Sequence, residues 1–280
     1  MKTVREFALR VIESESLEEK LKPPPRDLPD EDRGNGDAPD HPGRPSNLKI
    51  VPGHEAKVPR LGGWADPIQR NRILHALANH ELQATELFAR ALVSYPDAPP
   101  ELRSELLQTL REEQVHTKLY LHRLVSFGGE FGEFPVSGLF WNRILETRTI
   151  SEFLCALSLT FENANLDHAP EIAATARAHG DEETAKILDQ VAKDEVRHVA
   201  LGAKWVRAFA EEGESIWDAY RRQTYWPLHA GRARGVEFHP EPRRAAGLDE
   251  DFIRGLAETT RDVPTAHRRV RGGRVPGSEE

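Results

Sequence analysis

Two glutamate–histidine pairs constrain this chain more than anything else in it. Glu113 with His116, and Glu195 with His198, are the only Glu-x-x-His matches in the 280 residues. Positions three apart share one helical face, so each pair presents a carboxylate and an imidazole side by side. Each pair also has a glutamate at a matching distance upstream. Glu81 lies 32 residues before Glu113, and Glu162 lies 33 before Glu195. The two sets are separated by a nearly constant offset: 81 residues for the first glutamates, 82 for the second glutamates and for the histidines. That regularity reads as one helical hairpin occurring twice.

The surrounding pattern supports hairpins. Helical spacing of apolar residues predicts long helices over about 67–92, 101–125, 149–178 and 182–212. "SYPDAPP" (94–100) separates the first two, because its prolines end one helix and start the next. "HGD" (179–181) separates the last two, with Gly180 suited to a C-terminal cap and Asp181 to an N-cap. Residues equidistant from a tight turn face each other. The midpoint of Glu81 and Glu113 falls at 97, and that of Glu162 and Glu195 at 178.5, both at these breaks. All four positions therefore sit at one height. A crossover of roughly 20 residues joins the hairpins, with a Gly-rich start (127–138) and a short helix in "LFWNRILET".

Outside the four helices the chain divides further. Residues 1–20 read as a short amphipathic helix, spanning 3–20. Residues 21–64 are dense in Pro, Gly and acid, and read as an extended arm with too little apolar surface to offset ordering. The helical domain is assigned to 65–212. A helical extension covers 213–262, with short helices near 214–225 and 248–260, and a flexible tail covers 263–280. No segment shows strand alternation, so the fold class is all-α.

The chemistry follows from the neighbours of the four glutamates. Leu77, Ala78 and Ala84 flank Glu81; Leu159 and Leu166 flank Glu162; Val191, Ala192 and Val199 flank Glu195. A single charged residue on a helix usually faces solvent, but these faces belong to a core. Four carboxylates there repel one another and carry a desolvation cost of about several kcal/mol each unless cations balance them. Two divalent metals would supply that balance. Carboxylate and imidazole donors without thiolate suit iron or manganese. Glu86 competes with Glu81, but five residues turn a helix by about 140° from the first position, so both cannot face the metals. Tyr120, seven residues after Glu113, is either a packed aromatic or a redox-active tyrosine. His75 and His80 read as edge or channel residues. Cys155 reads as a small buried one.

Composition excludes several classes. One cysteine rules out a disulfide framework within the chain, a cysteine zinc cluster and a rubredoxin-like electron carrier. A net charge of −8 argues against general nucleic-acid binding. The basic stretches 221–234 and 266–274 read mainly as solvated charge, although they suit phosphates or an acidic partner. No apolar run approaches the ~20 residues of a membrane span. The first residues lack the features of a secretory signal, which leaves a cytoplasmic expectation.

One Glu in the first helix and Glu-x-x-His in the second helix of each hairpin resembles the ferritin-like di-iron carboxylate superfamily over about residues 67–212. "DEVRH" (194–198) resembles the Asp-Glu-x-Arg-His stretch of di-iron oxygenases and desaturases. "HALANHELQATELFA", "LTFENANLDHAPEIA" and "YWPLHAGRARGVEFHPEPRRAAGLDEDFI" resemble the bacterial ferritin-like domain-of-unknown-function family 455 over almost the whole chain. The resemblance implies a ferritin-like four-helix bundle with extra N- and C-terminal helices. It implies two iron ions, with manganese or a mixed Mn/Fe pair as alternatives. Glu113 and Glu195 would bridge them, Glu81 and Glu162 would bind terminally, and His116 and His198 would bind one metal each. Asp194 and Arg197 would support the ligand histidines. The first hairpin departs from the motif, with Glu112 in the Asp place and Val115 in the Arg place. The implied activity is O2-dependent oxidation of a small-molecule or tRNA-like substrate, with an external electron donor. Iron handling or peroxide removal, and a non-catalytic scaffold, are the alternatives. Assembly as a homodimer, away from membranes, completes these expectations.

Overall fold

The computed structural model describes residues 2–225 and 228–260. Its helices are α1 (Val4–Glu13), α2 (Leu17–Leu21), α3 (Pro67–Ser94), α4 (Pro100–Ser126), α5 (Leu139–Ile144) and α6 (Ile150–Ala156). They continue with a π-helical turn (Leu157–Glu162), α7 (Asn163–Ala178), α8 (Glu182–Ala208), α9 (Ile216–Gln223), α10 (Pro240–Ala245) and α11 (Glu250–Glu258). The described residues are thus mostly helical.

Local chemistry sets the ends of the long helices. Pro67 opens α3, and Asp66 caps it by accepting from the N–H groups of Ile68 and Gln69. Pro100 opens α4. Gly180, at φ +74°, makes the left-handed turn after α7 that a residue with a Cβ rarely adopts. Asp181 then caps α8 by accepting from Thr184 N. These short turns fold α3 against α4 and α7 against α8, and α4 meets α8 across the two hairpins. The third long helix runs from α6 to α7 through the π turn, which widens the coil on its way to Glu162.

Two apolar clusters form the core. One gathers Phe88, Leu92, Leu154 and Val199 with α1; the other gathers Leu77, Leu82, Tyr120, Leu188 and Val191. On α4 and α8 the glutamates and histidines singled out above lie in sequence between these clusters, whereas Glu81 is flanked by members of the second and Glu162 by members of the first.

The N-terminal region departs from the sequence reading. The single helix expected over 3–20 is two, because Ser14 leaves the helical conformation and Ser16 starts α2 as its cap. The arm, expected to bury little, buries Leu48, Trp64 and the guanidinium of Arg44. Specific polar anchoring offsets its ordering. Arg103 holds Asp30 through two bonds of 2.6 Å, and Trp141 Nε1 donates to Asp40 O at 2.8 Å. A two-residue parallel pair, Ile50–Val51 with Val136–Ser137, ties the arm to the crossover, although no strand was expected. Helix α10 was also not foreseen. Its Arg243 grips Asp167 of α7 at 2.8 and 2.9 Å, which fastens the C-terminal extension to the second hairpin. The tail assigned to 263–280, including the basic stretch 266–274, lies outside the described residues.

Candidate metal centre

Glu81 stands on α3, and Glu112, Glu113 and His116 on α4. Glu162 ends the π turn, and Asp194, Glu195, Arg197 and His198 stand on α8. Glu81, Glu113, His116, Glu162, Glu195 and His198 are all buried. They form two overlapping groups able to hold a metal ion. Glu81, Glu113, His116 and Glu195 make one, and Glu113, Glu162, Glu195 and His198 make the other. Within each, one donor atom per residue lies within 4.8 Å of the rest. Glu113 and Glu195 belong to both.

The inner and outer edges of the two imidazoles differ. Outward, His116 Nε2 lies 3.2 Å from Asp194 Oδ2, and His198 Nε2 lies 2.9 Å from Glu112 Oε2. A carboxylate can only accept, so each Nε2 carries the proton it donates. Arg197 spans the two carboxylates, at 2.7 Å from Asp194 and 3.2 Å from Glu112. Glu112 therefore does for His198 what Asp194 does for His116. The departure of the first hairpin from the Asp-Glu-x-Arg-His pattern leaves this contact intact.

Inward, the Nδ1 atoms face carboxylates. His198 Nδ1 lies 2.8 Å from Glu113 Oε1, 3.0 Å from Glu162 Oε2 and 3.2 Å from Glu195 Oε2. His116 Nδ1 lies 3.5 Å from Glu113 Oε2 and 3.9 Å from Glu81 Oε2. One ring N–H cannot satisfy three carboxylate oxygens. Both oxygens of Glu113, Oε2 of Glu162 and Nδ1 of His116 accordingly lack any hydrogen-bond partner although buried. Buried polar atoms of this kind are rarely left alone. Here they converge in the two groups, where cations could take them as donors.

The electrostatics describe the same shortage. Burial first, then the neighbouring carboxylates, push Glu81 and Glu162 well above the ordinary carboxyl value. Burial also opposes ionisation of Glu113, but His198 and His116 outweigh it and hold this carboxyl low. Burial disfavours the charged imidazoles, yet Glu113 and the outer acids raise His116 to about 10 and His198 well above its ordinary value. Protons thus balance the carboxylates, and any metal bound by these groups would have to displace them.

The remaining sequence candidates fall elsewhere. Glu86 is not in either group. It is buried in an ion pair with Lys20 at 3.0 Å and with Arg44 at 2.6 Å. Its five-residue step from Glu81 turns it away from the other glutamates. Tyr120 is buried among apolar residues, and burial with the charges of Glu81, Glu195 and Glu113 keeps its phenol protonated. His75 accepts from Gly132 N at 2.9 Å and His80 stacks on Phe140, so both serve the crossover. Cys155 is buried, with a thiol raised by burial. Arg222 pairs with Glu214, and Arg234 donates to Ala257 O, so these members of the 221–234 stretch are engaged internally. Trp226 and Pro227 of that stretch lie outside the described residues.

Sequence reasoning missed two features. Asn165 donates to Glu195 Oε1 at 3.0 Å. Its signal was its place three residues after Glu162, on the same helical face. The other is a cleft of about 270 Å³ between α4 and α8, lined by Thr109, Glu112, Arg197, His198, Leu201 and Lys204. It reaches the cluster at the Glu112–His198 contact. Larger cavities near Arg103 and near Arg123 touch none of the cluster residues.

Among the described residues, no helix is long and apolar enough to cross a membrane. The family model described as "Protein of unknown function (DUF455)" matches residues 3–254. An uncharacterized protein of Haemophilus influenzae is 28% identical over 147 residues, half of this chain and 51% of that protein. The chain thus spans about half the length of the curated relative it matches. No solved structure matches.

Proposed function

The chain belongs to the DUF455 family, whose description assigns no reaction, and we propose from its buried cluster that it is a dinuclear metal carboxylate protein of the ferritin-like kind. On this reading Glu113 and Glu195 serve both metals. Glu81 and His116 complete one position, and Glu162 and His198 the other. One observation carries it: buried donors of six residues, four of whose atoms lack a hydrogen-bond partner, converge into two groups that share two glutamates. All-oxygen and imidazole donors suit iron or manganese rather than a thiolate-bound metal.

We infer that the activity is O2-dependent oxidation. Bound iron would supply the electrons and the O2 chemistry. The chain's own residues do the rest. Asp194 and Glu112 fix the outer Nε2–H of each histidine, which leaves Nδ1 as the donor. The apolar clusters on either side exclude water. The cleft at Glu112 and His198 admits small molecules to one edge.

The test is O2 uptake by the reduced, iron-loaded protein. The expected result is O2 consumption in proportion to bound iron, absent in the zinc-loaded protein. Iron-loaded protein that consumes no O2 across a substrate screen would remove the oxidative reading. A native mass corresponding to a large closed shell would instead favour iron storage.

A further inference from the structure

The two hairpins repeat their glutamates and histidines, but they do not repeat Asn165. The position 81 residues earlier, equivalent by the offset that relates Glu81 to Glu162, is Ala84. Asn165 donates to Glu195 Oε1 at 3.0 Å. Ala84 has no donor to offer Glu113, and both Glu113 oxygens lack a hydrogen-bond partner. The two shared glutamates are therefore held differently.

The consequence shows at the two histidines. Glu113 turns one oxygen toward each ring: Oε1 lies 2.8 Å from His198 Nδ1, and Oε2 lies 3.5 Å from His116 Nδ1. Glu195 is held by its Oε1 and turns Oε2 to His198, at 3.2 Å. Three carboxylate oxygens gather within 3.2 Å of His198 Nδ1. The two nearest His116 Nδ1 stand at 3.5 and 3.9 Å.

We propose that Asn165 is a positioning residue that makes the two metal positions unequal. By occupying one oxygen of Glu195 it turns the other toward His198, so that the His198 position fills first and the His116 position second. This rests on the dinuclear reading above and adds to it an order of filling set by one amide.

The experiment is anaerobic titration of the metal-free full chain with Mn(II), followed by calorimetry and by the electron paramagnetic resonance signal of free Mn(II). Wild type is expected to bind in two steps whose dissociation constants differ at least ~10-fold, a gap of 1.4 kcal/mol. Asn165→Ala and the size-matched Asn165→Leu are expected to bring the two steps within ~3-fold while total binding stays unchanged. His198→Ala is expected to lose the tight step, and His116→Ala to keep it. Circular dichroism checks that each variant folds. Equal steps in wild type, or two unequal steps surviving in both Asn165 variants, would overturn the assignment and leave the dinuclear reading standing. Loss of the tight step in His116→Ala rather than His198→Ala would overturn the order. Wild type that binds no Mn(II) and no Fe(II) would instead remove the reading beneath it.

Discussion

Helix α3 carries two buried glutamates five residues apart, and the protein treats them in opposite ways. Glu86 receives two cations from the chain itself. Lys20 and Arg44 contact it at 3.0 and 2.6 Å, and Arg44 also donates to Asn79 at 2.8 Å. Lys20 spends its other bonds on the carbonyls of Val11 and Ile12. Glu81 receives no lysine or arginine. It faces three more carboxylates with two imidazoles between them. The difference separates a charge matched by the chain's own cations from a carboxylate cluster that, on the proposed reading, takes its cations from outside.

Breaking the first arrangement should have the largest effect on stability. Removing Glu86 strands two buried cations, Lys20 and Arg44, so Glu86→Ala should cost about 3–5 kcal/mol in urea unfolding. Arg44→Ala should cost less, because Glu86 then keeps Lys20 at 3.0 Å. Metal binding should survive in whatever fraction folds. A cost below about 1 kcal/mol would mean that the pair is exposed in solution.

Filling the second arrangement should stabilise. At a metal concentration about a thousand times the dissociation constant, unfolding should become harder by about 4 kcal/mol. Thermal melting with and without Mn(II) or anaerobic Fe(II) reads this, and chelation should reverse it. Next in size are the outer contacts. Asp194→Ala and Glu112→Ala free the Nε2 of His116 and His198 respectively, and each should weaken metal binding about 10–100-fold. Equal losses would show that Glu112 stands in fully for an aspartate.

The smallest effect is on pH dependence, and its sign is fixed. Glu81 and Glu162 are raised above their ordinary 4.5, and His116 is raised from 6.5 to about 10. In each case the folded, metal-free state holds protons that the unfolded chain has released. Stability from these groups is therefore present below the ordinary values and is lost as pH rises through the folded ones. The metal-free protein should lose stability between about pH 4.5 and 10. Metal affinity should rise over the same window, because fewer protons remain to be displaced. Glu162→Gln should flatten the acid part of the slope and stabilise the metal-free protein near neutrality by roughly 1 kcal/mol.

What the sequence conveyed, and what it withheld, divides along the same line. The helical segments and their turns follow from local rules, as Pro67, Pro100, Gly180 and Asp181 each act within one turn of their own position. Which glutamates would meet was legible because helical spacing and equidistance from a turn are geometric. The partner of Glu86 was not legible. Arg44 lies 42 residues away in a Pro-rich arm, and no periodic signal links the two. The π turn before Glu162 was hidden because its residues have ordinary helical composition. Asn165 was hidden by its setting, since it stands between Ala164 and Leu166 with no motif of its own and the glutamate it meets lies 30 residues on.

The central claim is that the cluster is completed by two cations and that both depend on Glu113. Metal content per chain after anaerobic loading and desalting tests it most directly, with wild type and Glu113→Ala measured side by side. The account predicts about two metal ions per wild-type chain. It also predicts near-complete loss in the variant, because both groups share that residue. No retained metal in wild type, or equal metal in the two proteins, would contradict it.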